Sequence, residues 1–145
     1  MRPGSPDSPC LRDGNLLLTI GLPALLVSVP TARGFAAHAC EEFGVSTDST
    51  ERVELVVSEL SANAVKHAGG AFHLALIKTS AGVLVEVEDP LTCAPPVASR
   101  PDADAETGRG LQVVEQLSDD WGCEALPDGK RMWAQVRDQP LVTTT

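Results

Sequence analysis

The stretch from Asp48 to Gly70 constrains this chain more than any other. Val53, Val56, Val57, Leu60 and Ala64 recur at helical spacing and form one apolar stripe. Asp48 followed by Glu51 makes a capping-box pattern at the start, and Gly69-Gly70 predicts the stop. A helix with a single apolar stripe needs a surface to bury it, and the next segments supply one. Ala71 to Thr79 and Val83 to Asp89 alternate as two strands joined by a tight turn at Ser80–Gly82. In the second strand Val83, Val85 and Val87 face one way, while Leu84, Glu86 and Glu88 face the other. One-sided strands beside a one-sided helix predict a sheet covered by helices on a single face.

The rest of the chain extends this pattern. Leu16 to Gly21 reads as a first strand, and Val29 to Phe43 as a helix ended by Gly44. Phe35, Ala36, Ala39, Cys40 and Phe43 form its apolar face. Pro90 to Thr107 has four prolines and no periodicity, so it predicts a long loop. A helix with Leu111, Val114 and Leu117 follows, and then strands near Trp121–Leu126 and Arg131–Arg137 around the turn Pro127-Asp128-Gly129. The order β, α, α, β, β, loop, α, β, β predicts a two-layer α/β (α+β) sandwich with a mixed, mainly antiparallel sheet. It does not alternate strand and helix as a doubly wound fold does. Residues 1–15 read as a flexible tail, 16–137 as one domain and 138–145 as a C-terminal tail.

Composition narrows the function classes. A hydrophobic fraction of 43% supports a core, and aromatics at 3% mean that Val, Leu and Ala must build it. A net charge of −9 argues against direct nucleic-acid or membrane-surface binding, which need a basic patch. Cys10, Cys40, Cys93 and Cys123 form no CxxC pair and have no His at ligand spacing, so free thiols are expected. The apolar run Leu16–Val29 is broken by Gly21 and Pro23 and follows Asp7 and Asp13. It fits neither a signal peptide nor a membrane span, and a cytoplasmic protein is expected.

Three clusters carry chemistry. Glu59 and Asn63 lie one helical turn apart beside the apolar stripe, with Lys66 and His67 a turn further on. Taken alone, they also fit an ordinary solvated helix flank. Asp89 closes a strand, where its carboxylate can accept from an exocyclic amine or cap the turn before Pro90. Gly108-Arg109-Gly110 opens the last helix, where exposed N–H groups suit a phosphate, although a plain loop-to-helix turn fits as well.

In this order the clusters resemble a known family. Glu59-Leu60-Ser61-Ala62-Asn63-Ala64-Val65-Lys66-His67-Ala68 resembles the N-box of the GHKL ATPases. Val85-Glu86-Val87-Glu88-Asp89 resembles the strand and aspartate of their first glycine box, and Thr107-Gly108-Arg109-Gly110-Leu111 their second. The longer runs ELVVSELSANAVKHAGG and GRGLQVVEQLSDDWG are similar to the single-domain anti-sigma-factor serine/threonine kinases of bacteria. The resemblance implies ATP and Mg²⁺ as cofactors. It implies that Asn63 coordinates the metal, that Glu59 is the general base or orients the attacking hydroxyl, and that Lys66 and His67 line the phosphate end. Asp89 would take the adenine amine. Thr107, Gly108, Arg109, Gly110 and Leu111 would hold the phosphates beneath a lid over 90–106. It also implies transfer to a serine of an anti-anti-sigma protein, sequestration of a sigma factor, and a possible homodimer.

Two departures fall at the adenine end. Pro90-Leu91-Thr92 follows Asp89 where the family has small or glycine residues, and Arg131 stands where a threonine of the last strands is expected. Two function classes follow: a serine kinase with anti-sigma activity, or a nucleotide-gated or catalytically silent partner-binding module. Intact Glu59 and Asn63 favour the first class, and the altered adenine end favours the second.

Overall fold

A computed structural model describes residues 10–67, 70–90 and 105–139. Strands β1 (Cys10–Arg12) and β2 (Asn15–Leu22) are followed by helices α1 (Ser28–Phe43) and α2 (Thr47–His67). Strands β3 (Phe72–Lys78) and β4 (Gly82–Asp89), helix α3 (Ala105–Leu117), and strands β5 (Asp120–Leu126) and β6 (Gly129–Arg137) complete the order. The six strands form one sheet in the order β1-β2-β3-β4-β6-β5, and every pairing is antiparallel. This is the two-layer α/β sandwich expected from the pattern, without a parallel pair.

Register decides what the sheet buries. Leu18, Leu76, Val85 and Ala134 lie side by side across β2, β3, β4 and β6, and all are fully or almost fully buried. The next rung on the same side holds Ile20, Leu74, Val87 and Met132. Onto this face pack Val53, Val56, Val57, Leu60 and Ala64 of α2 and Phe35, Ala36, Ala39, Cys40 and Phe43 of α1. The core is therefore built from Val, Leu and Ala, with Phe72 its largest fully buried side chain. Burial of this apolar area is the main stabilising term. It also pushes the Cys40 thiol up to about 12, so Cys40 behaves as a packed apolar group. Cys40 and Cys123 are free thiols.

The N-terminal boundary differs from the expectation. Residues 10–15 are no loose tail: β1 pairs with β2 through Asp13-Gly14, whose φ values of 52° and 83° match a two-residue hairpin turn. Asp-Gly is a strong hairpin signal, but here Arg12 and Asn15 flank it and β1 is too short to show an alternating pattern of its own. Arg12 then reaches the open face of the sheet, where Nη1 and Nη2 donate to Glu86 Oε1 and Oε2 at 3.1 and 2.9 Å. This bidentate pair ties the hairpin to β4 and explains a carboxylate that is only 7% exposed.

The start of α2 and the C-terminal boundary also differ, for one shared reason. Ser46, not Asp48, caps α2: its Oγ accepts from Ser49 N–H at 3.3 Å. The same hydroxyl donates to Asp138 Oδ1 at 2.9 Å, and Gln139 N–H donates to Ser49 Oγ at 3.1 Å. Asp138 and Gln139 are thus anchored to the helix start and are not tail. The predicted stop at Gly69 and most of the predicted lid, 91–104, lie outside the described residues.

Partial burial raises the pKa of Asp138, but hydrogen bonds from Ser46 and Ser49 outweigh it, and the net shift is below the ordinary value of 3.8. A depressed folded-state pKa stabilises the fold above the ordinary value and loses that contribution as pH falls through the folded value. Asp138→Asn should therefore lower the urea midpoint at pH 7, with the difference from wild type shrinking below about pH 4. A difference that does not change with pH would show that Asp138 contributes nothing through its charge.

Candidate functional site

Helix α2 carries the first candidate cluster. Its buried stripe is fixed by the sheet, and one flank lies in a groove against α1 lined by Thr50, Glu51 and Glu54. At about 100° per residue, Glu59 and Asn63 fall on the opposite flank. Both are half-buried, and neither makes a hydrogen bond or ion pair to another described residue. An amide and a carboxylate at the edge of a core, unengaged by other described residues, are available to a ligand. Lys66 and His67 are exposed in the last turn, where the Lys66 charge also complements the helix dipole.

Asp89 lies on the helix-covered side of the sheet, in line with Val83, Val85 and Val87. Its side chain is only 1% exposed, and Lys130 Nζ stands 3.2 Å from Oδ2 with its own side chain 9% exposed. Lys130 is directly opposite Asp89 in the β4–β6 register. This corrects the reading of the last strands. Arg131 points to the open face, where it donates to Glu88 Oε2 at 2.8 Å and Glu124 Oε1 at 2.7 Å. The residue beside Asp89 is Lys130. The signal was in the alternation: Met132, Ala134 and Val136 share one face, which carries Lys130 with it and turns Arg131 away.

Pro90 removes the glycine expected after Asp89, and Gly129 supplies a close approach from the facing strand. A Cβ at Gly129 would collide with the carbonyl oxygen of Asp89. Beside this contact opens a cleft of about 370 Å³ lined by Ala71, Asp89, Pro90, Leu126 and Gly129 among others. A larger hollow of about 790 Å³ lies between α1 and α2 and carries none of the candidate residues.

The glycine run sits further inside its helix than expected. Helix α3 starts at Ala105, which places Thr107 and Gly108 in the first turn and Gly110 and Leu111 beyond it. Within the helix the N–H groups left without intrahelical partners are those of 105–107, so the amides of Gly108, Arg109 and Gly110 all fall within the bonded turns. Leu111 is buried in the core with Val114. It holds α3 against the rest of the helical layer, where α3 packs on α2.

Among the described residues no three His, Cys, Asp or Glu side chains come together as a metal site, and no helix is long and apolar enough to cross a membrane. A family model described as a histidine kinase-like ATPase domain matches residues 22–136. No curated protein matches the chain.

The close contact at the end of β4 gives a direct test of this geometry. Gly129→Ala should cost about 1–3 kcal/mol in urea unfolding, the usual range for overpacking against fixed backbone. A cost within error of zero would mean that β6 does not approach Asp89 as described.

Proposed function

The chain belongs to the histidine kinase-like ATPase family, whose model spans most of its length, and on that premise we propose that it is an ATP-binding regulator of the anti-sigma-factor type. In this reading it transfers the ATP γ-phosphoryl group to a serine of an anti-anti-sigma partner and sequesters a sigma factor. Membership of the family implies ATP binding. The kinase step, the Mg²⁺ and the partners are the proposal.

The observation that carries it is the flank of α2, where Glu59 and Asn63 stand half-buried and unengaged by other described residues. An Asn side-chain oxygen is a hard donor of the kind Mg²⁺ prefers, and a magnesium ion usually takes few protein ligands, with the remainder from phosphates and water. Asn63 therefore fits the metal without a carboxylate cluster around it. Bound there, the ion would neutralise charge on the β- and γ-phosphates. The start of α3, with Thr107 in its first turn, supplies N–H groups to the phosphates. Lys66 adds positive charge at the end of α2, and His67 adds a ring N–H donor.

Glu59 sits one turn before Asn63, in reach of a hydroxyl brought to the phosphate end. It takes the serine proton as the serine oxygen bonds to the γ-phosphorus, the bond from that phosphorus to the bridging oxygen breaks, and ADP leaves. Asp89 stands at the base end with Lys130 beside it.

A second reading, a nucleotide-gated or catalytically silent partner-binding module, is favoured by one observation. The Asp89 carboxylate is already paired with Lys130, so the base end starts with its main acceptor engaged.

Calorimetric titration with ATP in the presence and absence of Mg²⁺ tests the reading. Asn63→Ala should keep the native circular dichroism and weaken Mg²⁺-dependent binding by at least about tenfold, the loss of one strong ligand interaction. Unchanged affinity would remove Asn63 from the metal site. Glu59→Ala should bind ATP normally and lose roughly 100-fold or more in phosphoryl transfer to a partner serine, the usual share of a general base. A transfer rate equal to wild type would make Glu59 an ordinary surface residue.

A further inference from the structure

The Asp89–Lys130 pair changes what the base end can recognise. A carboxylate beside a nucleobase selects by accepting N–H donors from its edge. Here a charged N–H donor of the protein already stands at that acceptor, 3.2 Å from Oδ2, with both side chains at least nine-tenths buried. Two features hold it in place. The β4–β6 register sets Lys130 opposite Asp89, and Gly129 brings the start of β6 against the Asp89 carbonyl.

An exocyclic amine is a neutral donor, and a hydrogen bond from an ammonium to a carboxylate is roughly twice as strong as a neutral one. Displacing Lys130 would also leave a buried ammonium without its counter-ion. The amine of adenine therefore gains little from Asp89 while Lys130 remains in place. From this geometry we infer that Lys130 is the specificity-determining residue of the base end. By engaging Asp89 it makes the domain a receptor for purine nucleoside triphosphates as a class, with recognition carried by the phosphates and the metal. The inference rests on the nucleotide reading above and deepens it.

The test compares ATP with ITP, which carries a carbonyl oxygen in place of the adenine amine, each titrated in Mg²⁺ by calorimetry. Wild type should bind the two within about threefold, whereas a carboxylate free to take the amine discriminates by roughly 10- to 100-fold, the range for a hydrogen bond to a charged group. Lys130→Thr should tighten ATP by about tenfold or more and leave ITP unchanged, restoring preference for the amine. Should that variant not fold, because a buried carboxylate has lost its ammonium partner, the wild-type ratio decides alone. A wild-type preference for ATP of tenfold or more would overturn the inference and leave the nucleotide reading standing. No binding of either nucleotide to wild type or variant would overturn the nucleotide reading, and the inference with it.

Discussion

The antiparallel register between β4 and β6 is the constraint on which the rest of the arrangement depends. Strand side chains alternate with a period of two, so a shift by one residue would exchange every partner on both faces. In the observed register Val83, Val85 and Val87 meet Val136, Ala134 and Met132 beneath the helices. The same parity carries Asp89 and Lys130 to the end of that row and sends Glu86, Glu88 and Arg131 to the other side. Hydrophobic burial fixes the row, and the charged pair at its end follows from it.

The two faces then use charge differently. Among the described residues the helix-covered side of the sheet carries the tight pair Asp89 with Lys130, largely removed from water. On the open side Arg12, Glu86, Glu88, Glu124 and Arg131 form a network that joins β1, β4, β5 and β6. Arg12 secures the N-terminal hairpin, and Arg131 bridges two strands near the edge. Exposed pairs of this kind contribute little individually. Bidentate geometry onto a carboxylate that is largely buried makes the Arg12–Glu86 contact the exception in the set.

Helix α2 shows how one element serves packing and chemistry at once. Its stripe is committed to the core, its start to Ser46 and through it to Asp138, and one flank to the α1 groove. The flank of Glu59 and Asn63 is the one opposite the α1 groove. A side chain projecting from a helix held on so many sides loses little further freedom when it binds a ligand. The rigid support and the unengaged polar flank are two consequences of the same packing.

Much of this was legible in the residues alone. The α2 stripe, the alternation of β3 and β4 and the Gly44 stop follow from local periodicity and local turn chemistry, and the ELVVSELSANAVKHAGG run carries the family resemblance; none of these needs knowledge of the remainder of the chain. They were enough to predict the layers, the family and the candidate flank. Ser46 as the cap, the docking of Arg12 on Glu86 and the partner of Asp89 were not legible in this way. Each joins residues far apart in sequence: Ser46 to Asp138, Arg12 to Glu86, Asp89 to Lys130. The choice between Lys130 and Arg131 shows the difference most clearly. Both are cations in adjacent positions, and only the register imposed by packing β6 on β4 decides which one meets the buried carboxylate. Local pattern determined the elements and the chemistry they carry. Long-range packing decided which charges meet, because a pairing energy depends on distance and burial that exist only once the sheet is assembled.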